Sequence, residues 1–376
     1  PSRSETGDRL RWWGFKFHLN LEPPHQSRHM VVPHSPQGED CKITSIFNYK
    51  ADNMLGREAY QSHLSGGYHM EAQKKTLTVF TPAYNRAYTI HKCYESLRRQ
   101  TLKDFVWLVV DDGSTDNTAE LIKQWQAVPD NGFEIKYVYK ENGGMHTAHN
   151  TAYENIDTEL NTCIDSDDYM TDDAVEKIVN CWKKYGSDKY AGILALDIFD
   201  NGKVIGKELE TDRFDTTFYS YYQRGGRGDK KIIYRTDIMK SFPPYPTFPG
   251  EKYVPLSYKY TLADLEYTLI IMNEPVCVVE YMADGSSTNM YRQYLKNPQG
   301  FAFLRKFDMT AFPQPKDIVR NCIHYVSSSI LCKNKHFISE SPRKFLTVLA
   351  VPFGAALTLF IKYKSKDYMK VEGFNK

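Results

Sequence analysis

From Thr76 onward the chain alternates short apolar runs with longer amphipathic ones, and this rhythm limits the possible fold more than any other feature. Leu77 to Phe80 reads as a strand, Tyr88 to Gln100 as a helix, Phe105 to Val110 as a strand and Ala119 to Ala127 as a helix. The pattern repeats with the strand Ile135 to Tyr139, a helix from His146 to Asn155, the strand Leu160 to Ile164 and a helix from Asp172 to Tyr185. Such alternation marks βα units. Consecutive βα units build a mostly parallel central sheet flanked by helices, so the expected fold class is α/β. Ligands of such sheets gather beyond the carboxyl ends of the strands.

Acids stand at two of those ends. Asp165-Ser166-Asp167-Asp168 follows one apolar run, and Asp111-Asp112-Gly113-Ser114 follows another. Three crowded carboxylates repel one another, so a fold that keeps them together is expected to neutralise them with Mg2+ or Mn2+. A cation in turn implies an anionic partner such as a diphosphate. Asp165 and Asp167 are spaced so that one carboxylate can face a metal-bridged diphosphate while the other holds a water or a ribose hydroxyl. The same stretch also reads as a helix cap, with Asp168, Thr171 and Asp172 taking the free N–H groups of the next helix. A calcium loop is excluded. Glu176 falls at the twelfth position from Asp165, but Tyr169 and Met170 stand where a ligand and a glycine are needed.

Pro82-Ala83-Tyr84-Asn85 ends the first strand and should meet Asp111 and Asp112 on one sheet edge. A flat ring and a carboxylate suit a pyrimidine base: Tyr84 can cover it while Asp112 accepts its imide N–H. A packed tyrosine and an ordinary Asp-Gly turn are the plain alternatives. Asn142-Gly143-Gly144 supplies backbone N–H groups before a helix that carries His146 and Asn150 on its first turns.

Taken in order, V-F-T-P-A-Y-N, V-V-D-D-G-S-T-D, E-N-G-G-M-H-T-A-H-N and D-S-D-D closely resemble the family 2 glycosyltransferases, over roughly Thr76 to Tyr185. The resemblance implies a Rossmann-like GT-A domain and a nucleotide-sugar donor, commonly a uridine diphosphate sugar. It places Pro82, Tyr84 and Asp112 in the nucleoside pocket and makes Asp165 and Asp167 an Asp-x-Asp metal motif with Asp168 beside it. Asn85, Asp111, Gly143, Gly144, His146, Asn150 and Ser166 complete the expected donor site. Gly228-Asp229, Phe248 to Pro255, Glu280-Tyr281, Asp284-Gly285-Ser286-Ser287 and Asn297-Pro298-Gln299-Gly300 look like a bacterial surface-polysaccharide subgroup, which extends the likeness to about residue 305. Members of that subgroup often carry an acid after the Val-Pro pair, where this chain has Leu256.

The same likeness implies an inverting displacement with Glu251 as general base, acting on a glycan or lipid-linked acceptor. Asp264 and Glu266 are substitutes, and an ion pair of Glu251 with Lys252 or Arg235 is the plain alternative. A sugar nucleotidyltransferase would carry a Gly-rich, Lys-bearing first loop, unlike Tyr84-Asn85-Arg86. A non-catalytic sugar-nucleotide or glycan binder is the remaining alternative.

Residues 1–70 hold six of the eleven histidines and few periodic runs, so a poorly ordered extension is expected there. The catalytic domain should span 71–305, with a nucleotide-sugar half at 71–190 and an acceptor half at 191–305. Residues 306–376 should be helical. Within them Phe345 to Ile361 is uncharged and apolar, yet short against the about 20 residues of a bilayer span. Arg343, Lys344, Lys362, Lys364 and Lys366 flank it, so contact with a membrane surface through 342–370 is expected, with a core helix as the alternative. A net charge of +2 without a basic run interleaved with aromatics excludes a nucleic-acid partner. Seven cysteines without Cys-x-x-Cys spacing indicate neither a disulfide framework nor a zinc site. With no secretory signal, the expected location is cytoplasmic, peripheral to the inner face of the cell membrane.

Overall fold

The computed structural model describes residues 74–280, 290–312 and 314–366. The expected N-terminal extension and the Asp284-Gly285-Ser286-Ser287 stretch lie outside the described residues. From Lys74 the chain forms one unit. It opens with β1 (Leu77–Ala83), α1 (His91–Arg99), β2 (Phe105–Asp111), α2 (Thr118–Gln126), β3 (Glu134–Tyr139), α3 (Met145–Asn155) and β4 (Leu160–Cys163), the expected βα series. Next come β5 (Tyr169–Met170), α4 (Ala174–Tyr185), β6 (Tyr190–Ile198), β7 (Asp215–Thr216), α5 (Phe218–Gln223), β8 (Lys230–Arg235), α6 (Thr236–Ser241), α7 (Ser257–Glu266) and β9 (Thr268–Val278). The C-terminal part is helical: α8 (Met290–Lys296), α9 (Pro298–Ala311), α10 (Pro315–Leu331), α11 (Phe337–Glu340) and α12 (Lys344–Lys364).

The strands form one sheet in the order β3-β2-β1-β4-β8-β6-β9-β5, with β7 paired to β9. In the first half β3, β2, β1 and β4 are all parallel. The second half is mixed, because β8 runs antiparallel to both β4 and β6. Parallel neighbours need a crossover, usually a full helix. Between β6 and β8 the chain carries β7 and the six-residue α5, and β8 returns antiparallel.

Side chains alternate across this sheet and build two cores. Leu77 and Val79 of β1 and Phe105, Trp107 and Val109 of β2 point to one face, under α1 and α4 through Leu97, Ile178 and Trp182. Phe80, Leu108 and Val110 point to the other, where Ala148, Ala152 and Tyr153 of α3 meet Leu262 of α7. Trp107 is fully buried, and its indole N–H donates to Thr81 Oγ1 at 3.0 Å. A third cluster, Met309, Cys322, Tyr325, Val326 and Ala350, joins the C-terminal helices. It is tied to the sheet domain through Tyr219, which stacks on Phe312 at 4.2 Å and donates to Asp317 Oδ2 at 2.6 Å.

His149 on α3 is 1% exposed, edge-on to Phe80, with neither ring nitrogen hydrogen-bonded among the described residues. Burial, followed by the charges of Lys259 and His146, lowers its pKa to about 3.

Two outcomes follow from this packing. Trp107→Ala should lower the unfolding free energy by about 3–5 kcal/mol, read as a drop in urea midpoint. Because an unfolded histidine titrates near about 6.5, the unfolded chain binds more protons than the folded one below that pH. The stability His149 contributes is therefore whole above about 6.5 and is lost as pH falls toward its folded value. Moving from pH 7 to pH 5 should cost about 2 kcal/mol through His149, and His149→Phe should remove that share. Equal losses in the two proteins would refute the assignment.

Candidate active site

The sheet register brings the loops after β1, β2 and β4 to one edge, with Ala83 level with Asp111 and Phe80 level with Cys163. Pro82 is buried at the end of β1, and Tyr84 beyond it is exposed. Asn85 takes a left-handed backbone, φ 53°, and is fixed there from two sides. Its N–H donates to Ser114 Oγ at 2.9 Å, and its Oδ1 accepts from Thr115 N at 2.8 Å. Asp116, absent from the expected site, accepts from Ala87 N and Thr118 N at 3.0 Å each and so pins the same loop.

The two acids after β2 divide their work. Asp111 is fully buried and accepts from Ser114 N and the Tyr137 hydroxyl, both at 2.7 Å, which closes the turn. Asp112 Oδ1 accepts from Lys140 Nζ at 2.5 Å and Gly143 N at 3.0 Å, while Oδ2 accepts from Gly144 N at 2.7 Å and Asn142 Nδ2 at 3.2 Å. The N–H groups of Gly143 and Gly144 therefore point at Asp112, whereas the sequence suggested that they would face a ligand. The cause is proximity: the loop 140–144 folds back over the β2 turn.

Gly144 has φ 93°, and a Cβ there would strike the Lys252 carbonyl. The loop Phe248 to Pro255 is thus seated directly on the 142–144 turn, and Lys252 Nζ also donates to Asn142 Oδ1. His146, at the start of α3, is buried with Nδ1 unpartnered among the described residues. Burial holds it neutral, with a pKa lowered to about 4. Asn150 serves packing: its side chain clamps the Tyr245 backbone, accepting at 2.9 Å and donating at 3.0 Å.

At the end of β4, Asp165 is exposed, Ser166 buried, Asp167 half-buried and Asp168 buried. A bond from Asp168 N to Asp165 O at 3.0 Å closes the turn. Asp168 accepts from Glu280 N at 3.1 Å, so it faces the protein. Burial, against the pull of Lys231 and reinforced by Asp165 and Asp167, raises its pKa well above the usual carboxylate range. The helix-cap alternative for this stretch fails, because α4 draws its side-chain cap from Gln100, just past α1, which accepts from Val175 N at 3.0 Å.

Beneath the turn lies a cation that sequence reasoning missed. Lys231 of β8 donates to Cys163 O at 3.3 Å and sits 3.9 Å from buried Asp197. Burial alone would lower its pKa, but Asp197, Cys277, Asp168 and Asp165 outweigh that and raise it, so the ammonium stays charged. A lysine inside the strand run Lys230 to Arg235 was the available signal.

Among the described residues no three His, Cys, Asp or Glu side chains converge as a ready-made cation cage. The carboxylates of Asp165 and Asp167 offer hard oxygen ligands of the kind Mg2+ and Mn2+ take when a substrate supplies the rest of the shell. The donor set fits such an ion.

Glu251 accepts from Gln299 N and Gly300 N, each at 2.8 Å, capping α9. Neither Lys252 nor Arg235 pairs with it. Asp264 is likewise committed to a helix start, accepting from Phe218 N at 3.0 Å and Tyr219 N at 2.6 Å. Glu266 is exposed at the end of α7, and Leu256 packs against the second core.

Residues 78–242 match the model of Glycosyl transferase family 2. Glycosyltransferase GlyA of Streptococcus pneumoniae serotype 4 is 34% identical over 116 residues, and chondroitin synthase of Pasteurella multocida is 36% identical over 113 residues. Those stretches cover 31% and 30% of this chain, and the chain spans only 16% and 11% of the two relatives' own lengths. A crystal structure of S. aureus TarS 1-349 in complex with UDP-GlcNAc superposes with a TM-score of 0.51 at 17% identity, covering 73% of this chain and 79% of that one. At that identity the superposition speaks for the fold. On the motifs and the matched region, residues 78–242 are a family 2 glycosyltransferase domain, and the chain carries the GT-A architecture.

Proposed function

We propose that this glycosyltransferase moves a sugar from a nucleoside diphosphate sugar, a UDP-sugar, to a glycan or lipid-linked acceptor in surface polysaccharide synthesis. The observation that carries the reading is the convergence of three loops on one sheet edge. The carboxylates Asp165 and Asp167 follow β4, Pro82 to Asn85 close the adjacent β1, and the Glu251 loop is seated on Gly144 after β3. The UDP-GlcNAc in the TarS complex is a donor of this chemistry.

In this reading Tyr84 covers the base, while Asp112 sets the pocket floor by holding the 142–144 turn. Asp165 and Asp167 would hold Mn2+ or Mg2+ against the donor diphosphate, where the ion offsets the charge on the departing group. Glu251 keeps unused lone pairs on both oxygens beyond its two helix-capping bonds. It takes the proton of the acceptor hydroxyl as that oxygen attacks the anomeric carbon opposite the leaving diphosphate. A single attack of this kind inverts the centre. The enzyme works at a membrane surface reached through 342–370.

Release of nucleoside diphosphate from a donor panel, with and without Mn2+, tests the reaction. Asp167→Asn should cut turnover at least about 100-fold and leave the urea midpoint unchanged. If no donor is turned over and Asp167→Asn leaves nucleotide affinity untouched, the reading is wrong. Glu251→Gln should lose about 10²–10⁴-fold in kcat and flatten the acid limb of the pH–rate profile. A drop in stability with an unaltered pH profile would leave Glu251 as a helix cap alone.

A further inference from the structure

Helix α12 is built inside out. Its inward residues are Thr347, Ala350, Gly354, Thr358 and Ile361, mostly small or hydroxylated. Its outward residues include Phe345, Val348, Leu349, Phe353, Leu359 and Tyr363, with Phe345 75% and Leu359 70% exposed. A soluble protein with an aqueous surface on that side would reverse this order.

The inward face is engaged from the first turn to the fourth. Thr347 lies 3.9 Å from Cys322 Sγ on α10, and a Cβ on Gly354 would collide with Val326. Thr358 and Ser327 hydroxyls pair at 3.0 Å. By length, about 31 Å at 1.5 Å per residue, α12 could cross a bilayer. Crossing would drag α10 along, and α10 carries the buried Asp317 and Asn321 and the half-buried Arg320, with Asp317 and Arg320 paired at 2.7 Å. Charge argues the same way: Arg343 and Lys344 stand at one end and Lys362, Lys364 and Lys366 at the other, all exposed. A spanning helix biases its cations to one side, whereas cations at both ends suit a helix whose two ends meet the same anionic surface.

We propose that α12 lies in the plane of an anionic leaflet, with Phe345, Phe353 and Leu359 in the acyl boundary, the lysines among headgroups and α10 on the aqueous side. This deepens the membrane part of the proposed function and rests on it.

The test floats the full chain with vesicles of phosphatidylcholine alone or mixed with phosphatidylglycerol. Mixed vesicles should carry the protein, neutral ones should carry at least about tenfold less, and alkaline carbonate should release it. Phe353→Ser combined with Leu359→Ser should weaken flotation at least about tenfold while the thermal midpoint holds, since both side chains are exposed. Carbonate resistance would overturn the in-plane placement in favour of a span. Equal binding to neutral vesicles would overturn the anionic requirement. A dimer in solution that the double variant splits, without flotation, would give the face to a second copy. Donor turnover measured in the same samples separates the two claims: turnover without flotation sinks only the membrane placement, and flotation without turnover sinks only the transferase reading.

Discussion

The carboxylate of Asp112 is the joint on which the candidate site hangs. Its four bonds reach Lys140, Asn142, Gly143 and Gly144, and its own N–H donates to Ala83 O at 2.8 Å. One buried acid therefore fixes the end of β1, the turn after β2 and the loop after β3 relative to one another. Hydrogen bonds to a charged acceptor are stronger than neutral ones, and buried donors left without it would each pay for desolvation. The Glu251 loop is seated on the same turn, because Gly144 leaves no room for a side chain under the Lys252 carbonyl. The 142–144 turn and the Phe248 to Pro255 loop thus share a boundary that a single methyl group would push apart.

A second joint couples the sheet domain to the C-terminal helices. Tyr219, at the start of α5, reaches Asp317 and stacks on Phe312, while Gln223 donates to the same Asp317 oxygen at 3.1 Å. Asp264 holds the N–H groups of Phe218 and Tyr219 in turn. Asp264, which looked available for proton transfer in the sequence, is in three dimensions the cap of the six-residue α5. Short helices have few internal bonds to spare, so remote carboxylates that satisfy their first amides matter more to them than to long ones.

Much of the first half was legible in the sequence, because strand and helix periodicities between Thr76 and Tyr185 are local properties. The motif turns fell at strand ends for the same reason. What local pattern could not reveal was where polar groups spend their bonds. The N–H groups of Gly143 and Gly144 looked ready for a ligand but are drawn to Asp112, and Asn150 looked like a donor-site residue but clamps Tyr245, 95 residues away in sequence. The antiparallel direction of β8 was equally hidden, since it depends on pairing with β4 and β6 from other segments rather than on the strand itself. Lys231 was hidden most deeply. A lysine in a strand acquires meaning only when Asp165, Asp168 and Asp197 arrive from other segments.

That lysine has a consequence for how the acidic turn behaves between encounters with any ligand. Many clusters of acids are folded only when an ion is present, so that loading and folding are one event. Here a covalently attached ammonium already sits beneath the turn, and the Asp168–Glu280 and Asp165–Asp168 bonds give it shape. In the proposed reading, an arriving cation or diphosphate would meet a turn that is already built, and its departure would leave that turn standing. The ordering entropy is spent once, during folding, and not again at each cycle.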